Sequence, residues 1–377
     1  MAVTVKRGLT RKDLRSFINF PVKLHKSMSG FVPSLFMDEM DTLDPKKNPA
    51  YEFCDVALFL AYKDGVLSGR AAAIVNHLAN ERWNHDEVRF GWFDFVDDIE
   101  VSKALLEAVK DFGLEHGMKT MTGPLGFTDF DPEGMLVAGF DRMSTMALHH
   151  NPPYYKDHME ALGFTKEIDW VEYRIIIPDK VPDQYVRVSG LVSEKYGLKV
   201  KKLTKREIRK TRIGYQLFDL INETYASLYN FTILPEKMID KYVNFYLGVI
   251  DLDFVTVVVD SEDNPVGFGI TMPSITGALK KCDGKLFPFG WFHLLKSMYL
   301  KHEDTVEMLL IGIKNEYRKK GVVSMIFADL TERFIKGGFK YAETNAELEF
   351  NYSVQTLWQD LEYEQEKVRR VYTKVIN

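Results

Sequence analysis

Arg318, Lys319, Lys320 and Gly321 interrupt an otherwise apolar passage, with TVEMLLIGI before them and VVSMIFADL after. A basic turn between a buried strand and a helix suits phosphate. Backbone N–H groups at a helix N-terminus attract an anion, and a glycine lets the backbone approach it closely. The same composition suits a solvated turn. Two phosphate motifs are absent: GxxxxGK followed by Ser or Thr, and GxGxxG. Neither a nucleoside-triphosphate loop nor a dinucleotide fingerprint is therefore expected.

A second cluster lies in GPLGFTDFDPEGM, where glycine and proline frame Asp129, Asp131 and Glu133. Three carboxylates in one loop suit a basic amine; the spacing is not that of a calcium loop. The plainer role is a structured loop whose acids cap the next helix. His149 and His150 are adjacent, so they point in different directions and are expected to be polar loop residues. No metal site is expected. Cys54 and Cys282 lie far apart, with no disulfide framework or metal spacing, which fits a reducing compartment.

The totals bound the function. A chain of 377 residues exceeds what one core usually supports, so two domains are expected. At 46% hydrophobic and 27% charged the composition is globular. Lys plus Arg is 49 against 54 Asp plus Glu, a net of −5, which argues against a nucleic-acid partner. The N-terminus lacks the apolar stretch of a signal peptide. No uncharged run reaches the roughly 18 residues that span a bilayer. A cytoplasmic protein without a membrane partner is expected.

The elements that must position these residues occur twice. The first half reads as a strand, a helix capped by Thr10 with Asp13 three residues on, and a hairpin turning at Asp64-Gly65. An aromatic strand, a helix stopped by Gly117, a short strand and a closing strand, WVEYRIII, follow. The second half repeats the order from VKKLT to the closing VRRVYTKVI. The division predicts one domain over 1–180 and another over 198–377. TGALKKCDGKLFPFGWFHLLKSMYLKHED is an insertion between the third and fourth strands of the second half. Its aromatics, Phe287, Phe289, Trp291 and Phe292, suit either an acyl pocket or an anchor onto the sheet.

The hexapeptide Arg318-Lys319-Lys320-Gly321-Val322-Val323 resembles the pyrophosphate loop of the GNAT-type N-acyltransferase superfamily. That loop runs Gln or Arg, two variable residues, Gly, one variable residue, then Gly or Ala. Val323 departs from it. The family's late signature, N-x6-Y-x2-L-G-F, is echoed from Asn351, with Trp358 at the tyrosine position and Leu361, Glu362 and Tyr363 after it. The first half keeps Leu162-Gly163-Phe164 but has Met159 at the tyrosine position and no phosphate loop before IEVSKALL. The resemblance implies an α/β protein of two tandem domains, each a mostly antiparallel mixed sheet flanked by helices, with the second half binding acetyl-CoA or another acyl-CoA.

It also implies chemistry. An amine attacks the thioester, a carboxylate takes its proton, and a backbone N–H of the splayed fourth strand polarises the carbonyl. Carried onto this chain, Glu307 is the base; Tyr352 and Tyr363 lie near the tyrosine position but out of register, and Tyr352 is the candidate for the missing acid. Ile311, Gly312 and Ile313 supply backbone contacts, with Gly312 marking a bulge. Residues Arg318, Lys319, Lys320, Gly321, Val322 and Val323 hold pyrophosphate, and Asn351 and Trp358 approach the cofactor chain. Asp129, Asp131 and Glu133 face the acceptor, a small-molecule amine or a peptide. Two other readings stay open: a non-catalytic protein that binds acyl-CoA or another metabolite, and a peptidyl transferase using aminoacyl-tRNA.

Overall fold

Thr10 caps the first long helix, Arg11–Leu24. Its hydroxyl accepts from the Asp13 amide at 3.3 Å, and Asp13 Oδ2 accepts from the Thr10 amide at 2.9 Å, closing a capping box. The computed structural model describes residues 2–8, 10–300, 302–358 and 360–376. Its first half contributes strands β1 (Val3–Arg7), β2 (Cys54–Lys63), β3 (Val66–Asn76), β4 (Glu87–Phe95), β5 (Thr120–Gly123), β6 (Met135–Ala138) and β7 (Thr165–Ile176). The second contributes β8 (Lys199–Lys201), β9 (Val255–Val259), β10 (Pro265–Pro273), β11 (Thr305–Ile313), β12 (Tyr341–Thr344), β13 (Glu347–Leu348) and β14 (Tyr363–Val375). Asp64 and Gly65 both adopt positive φ at the β2–β3 turn, as a two-residue hairpin requires. The architecture is the expected α/β mixed sheet flanked by helices.

The strands form one sheet in the order β1-β2-β3-β4-β5-β14-β7-β12-β11-β10-β9-β8, with β6 on β14 and β13 on β7. Each half runs antiparallel through its first four strands and then adds one parallel pair, β4 with β5 and β11 with β12. The closing strands are exchanged. β7, from the first half, pairs with β12 of the second, and the chain's last strand, β14, pairs with β5 of the first. β7 and β14 also pair with each other along nearly their whole length.

Charged residues mark this seam. Arg369 Nε lies 2.6 Å from Glu172 Oε1 and Lys367 Nζ lies 3.3 Å from Glu172 Oε2, with all three side chains buried. Arg370 makes a two-pronged contact with Asp169 at 2.8 and 3.0 Å. Burial pushes the Glu172 carboxyl up, but Arg369 and Lys367 outweigh it and hold it below the usual range. Removing one partner of a buried ion pair strands the other charges. Glu172→Ala is therefore expected to cost about 3–5 kcal/mol of unfolding free energy, read by urea denaturation.

Helices cover both faces. Ile99–Glu115 buries Val101, Leu105, Val109 and Phe112 against the first half, and Val322–Lys336 buries Ile326 and Leu330 against the second. A third core joins Phe17, Trp92 and Phe127 to Leu217, Ile221 and Phe268, so the halves share apolar packing as well as strands. The insertion forms two short α-helices, Thr276–Lys281 and Gly290–Leu295, the second running into a π-helical turn, Lys296–Leu300. Leu286, Leu294 and Met298 anchor it on Met272 and Ile275, whereas Phe287, Phe289, Trp291 and Phe292 are exposed. These aromatics thus neither line a pocket nor form the anchor. No helix among the described residues is long and apolar enough to cross a membrane.

Candidate functional site

β11 and β12 run together from Thr305–Tyr341 to Met308–Thr344 and then part. The cause lies at Leu309. Ile270 of β10 faces Leu310 and Thr271 faces Met308, so Leu309 has no partner opposite it. Such a bulge bends a strand and ends its pairing. The bulge was expected at Gly312, which has another task. A Cβ there would meet the Phe268 ring at 2.6 Å and Thr224 Oγ1 at 2.9 Å. Gly312 therefore lets the helix Ile213–Tyr225 lie close over the strand.

A cavity of about 160 Å³ opens where the strands part. Met308, Leu309, Leu310 and Ile311 form one wall, Phe327 and Leu330 another, and Asn345, Glu347, Asn351, Val354 and Trp358 a third. The first half completes it: Asp129 and Glu133 reach in from the loop before β6. Tyr225 also lines it, and its hydroxyl donates to Ile311 O at 3.0 Å and accepts from Ile311 N at 3.3 Å. Two neighbouring spaces share Leu309 and Leu310 with this cavity. One contains Asp129 and Asp131. The other is walled by Leu203, Ile208, Leu217, Ile221, Val243 and Val255.

The acids in this region are buried, which disfavours their charged forms. Burial pushes Asp129 and Asp131 each to about 6. It pushes Glu133 well above its usual value, with the Asp129 charge adding to the effect. Glu347 rises to about 8 by burial, against a smaller pull downward from Trp358 and Thr344. The Trp358 side chain lies near enough to the Glu347 carboxyl to lower it, yet neither Glu347 Oε2 nor Trp358 Nε1 completes a hydrogen bond. Both atoms, with the Tyr229 hydroxyl, are buried and unpartnered among the described residues. Buried polar atoms are normally satisfied, so the Glu347 and Tyr229 oxygens on this cavity are open to a polar ligand.

The expected site residues fall into three groups. Asp129, Glu133, Ile311, Asn351 and Trp358 line the cavity, and Asp131 lines the adjoining space. No helix follows the acidic loop directly. Asp129 Oδ2 instead accepts from Thr232 N at 3.0 Å, in the second half, and Asp131 Oδ2 accepts from Thr128 N at 3.0 Å.

Glu307 and Tyr352 lie outside the cavity lining. Glu307 is buried on the opposite face of β11 from Met308. Its carboxylate accepts from Ser274 Oγ at 2.8 Å and Met146 N at 3.1 Å, and burial raises it to about 7. Tyr352 is 64% exposed.

The basic loop stands between β11 and the helix Val322–Lys336, with Gly321 at φ +81°. A Cβ at Gly321 would meet Val188 Cγ1 at 2.9 Å. Arg318 turns inward, donating to Ile313 O at 3.3 Å and Thr224 O at 3.1 Å. Lys319 is exposed and Lys320 lies over Tyr196 and Tyr317. Val322 is in the core and Val323 packs beside it, as does Ile313. Among the described residues no group of His, Cys, Asp and Glu could hold a metal ion.

The first half treats its equivalent opening differently. β4 and β5 also part after three residue pairs, but Leu125 N bonds to Phe90 O at 2.9 Å. A Cβ on Gly91 would collide with the Leu125 carbonyl. The chain's own loop thus fills the gap. Asp98 caps the following helix, accepting from Glu100 N at 3.1 Å, whereas the helix Val322–Lys336 has no side-chain cap.

The fold has counterparts among solved structures. A tandem GNAT protein from the clavulanic acid biosynthesis pathway superposes with a TM-score of 0.59 at 11% identity, covering 100% of this chain and 99% of that one. This chain has the tandem GNAT-type fold. A glucosamine N-acetyltransferase region of a fungal multi-domain β-N-acetylglucosaminidase gives 0.57 at 11% identity over 99% of this chain and 38% of that one.

Two curated proteins are similar in sequence. Protein YghO of Escherichia coli K12 is 26% identical over 99% of this chain and 95% of its own length. The bacterial ceramide synthase of Caulobacter vibrioides is 26% identical over 82% of this chain and 80% of its own. No family model matches. Within the tandem GNAT-type fold, the open splay belongs to the second half and the acids that complete its cavity to the first.

Proposed function

We propose that the protein transfers a long-chain acyl group from an acyl-CoA to an amine, in the β11–β12 splay. The observation that carries this is the unpartnered, buried Glu347 carboxyl oxygen in a cavity otherwise walled largely by aliphatic and aromatic side chains. The likeness to a bacterial ceramide synthase supports a long chain and an amine on a lipid-like acceptor. The tandem division, 1–180 and 198–377, assigns the acceptor acids to the first domain and the donor loop to the second.

In this reading the amine nitrogen attacks the thioester carbonyl, the C–N bond forms and the C–S bond breaks. Glu347 takes the amine proton, and Asp129 and Glu133 hold the amine near it. Tyr225, on the free edge of β11, is the phenol placed to return a proton to the thiolate. Burial raises its hydroxyl to about 12, so it remains protonated at neutral pH. The turn from Arg318 to Val323 receives the pyrophosphate through backbone N–H groups, with Lys319 nearby, and Asn351 and Trp358 flank the pantetheine arm.

A non-catalytic acyl-CoA binder is the second reading. Its support is that Tyr225 already satisfies both backbone groups of Ile311. One experiment separates the two. Palmitoyl-CoA with a sphingoid base should release free thiol and give an amide by mass spectrometry. A ligand-induced rise in melting temperature without thiol release would favour the binder. Neither a thermal shift nor thiol release would sink both.

A further inference from the structure

The insertion before β11 turns a set of large apolar side chains outward. Phe287 is 76% exposed, Phe289 73% and Leu300 78%, and Trp291, Phe292 and Leu295 are also exposed. Six exposed large apolar side chains within residues 287–300 are uncommon on a soluble chain. The patch is not a loosely held loop. Leu286, Leu294 and Met298, from the same segment, pack inward with Val32, Met272 and Ile275. Phe36 N bonds to Gly284 O at 2.9 Å, and Trp291 N to Leu286 O at 2.8 Å. The exposed rings are therefore presented by a segment fastened to the body of the protein.

The charge of the insertion leans positive. Residues 276–304 contain five lysines and three acids, Asp283, Glu303 and Asp304, in a chain whose net charge is −5, and Glu303 is engaged by Gly277 N at 2.7 Å. Lys281, Lys285 and Lys296 are exposed. Aromatic side chains ringed by lysine suit the bilayer interface, where rings sit at headgroup level and cations meet anionic lipid. A second copy of the chain fits less well, because pairing this face with itself would bring lysines of like sign together.

We propose that the segment 281–300 docks the protein on the surface of an anionic phospholipid bilayer, without crossing it. This departs from the expectation of no membrane partner. It does not depend on the acyl-transfer chemistry.

The test is flotation of the full-length protein with vesicles of phosphatidylcholine alone or mixed with phosphatidylglycerol. Binding to the mixed vesicles is expected to be about tenfold stronger or more. Phe287→Ser/Phe289→Ser and, separately, Lys281→Glu/Lys285→Glu/Lys296→Glu are expected to lose it by a similar factor. The melting temperatures should stay unchanged, because the substituted side chains face solvent. Three results would overturn the proposal: no flotation of wild type, equal flotation of the variants, or a dimer in gel filtration that the Phe variant dissociates while vesicles bind neither protein.

Discussion

Glu347→Gln is expected to lower kcat/KM by about 10²–10⁴-fold at pH 8, the range for loss of a general base, while leaving the acyl-CoA-induced rise in melting temperature intact. The glutamine keeps the volume and one carbonyl oxygen but cannot accept the amine proton. The pH profile carries the sign. Burial raises the folded carboxyl to about 8 from an ordinary 4.5, so in wild type the base form, and with it the rate, should rise through pH 8. The variant should show only a low rate without that rise.

Stability runs the other way. A folded pKa above the unfolded one means the native state binds more protons between the two values, so Glu347's contribution declines as pH climbs from about 4.5 to 8. The glutamine variant lacks that decline, so its melting temperature should gain on wild type towards pH 9. A merely structural Glu347 would reproduce the stability effect without the rate effect. If Glu347→Gln stays within about threefold of wild type and Glu133→Gln or Asp129→Asn takes the loss instead, the base belongs to the first half.

Much of the fold is legible because it is local. The Thr10 cap, the Asp64-Gly65 turn, the Gly117 stop and the repeated order of strands each follow from a few neighbouring residues. The exchange of β7 and β14 is not local. WVEYRIII and VRRVYTKVI have the same strand pattern whichever half they join. The available signal was chemical. Glu172, Lys367 and Arg369 are buried in strands that also carry Lys166, Asp169, Arg174, Glu364, Glu366 and Arg370, and buried charges of opposite sign need one another.

The site divides along the same line. The basic turn and the three acids of residues 129–133 stand out by composition, and the structure brings Asp129 and Glu133 to the cavity at the strand splay. Chain position alone points to Glu307, yet side chains alternate along a strand. The register puts Met308 on the cavity side, leaving Glu307 to bond Ser274 and Met146. Glu347 was invisible because KYAETNAELEF holds three glutamates with nothing to separate them. Only the turn after β12, which starts β13 against β7, brings Glu347 to the cavity. Tyr225 lies 86 residues before Ile311, and no local pattern links them.

Leu217→Trp is expected to shift the donor preference towards shorter acyl chains. Leu217 lines the aliphatic space that shares Leu309, Leu310 and Ile270 with the splay cavity, so an acyl chain leaving the thioester past the Leu309 bulge would run into it. Each buried methylene is worth about 0.8 kcal/mol. An indole that excludes three or four of them removes roughly 3 kcal/mol, on the order of a hundredfold in kcat/KM for a sixteen-carbon donor. An eight-carbon donor, too short to reach Leu217, should change by less than about threefold. Leu217→Ala should act in the opposite direction and favour longer chains, at a stability cost of about 2–5 kcal/mol for the lost core side chain. Competition between donors of different length, with products weighed by mass spectrometry, reads both variants in one tube. The alternative route is the neighbouring space beside Asp129 and Asp131, which the same leucines line. If Leu217→Trp leaves the chain-length profile untouched and Met146→Trp there truncates it, the acyl chain runs towards the first half, and the aliphatic space beneath Leu217 is packing rather than a binding site.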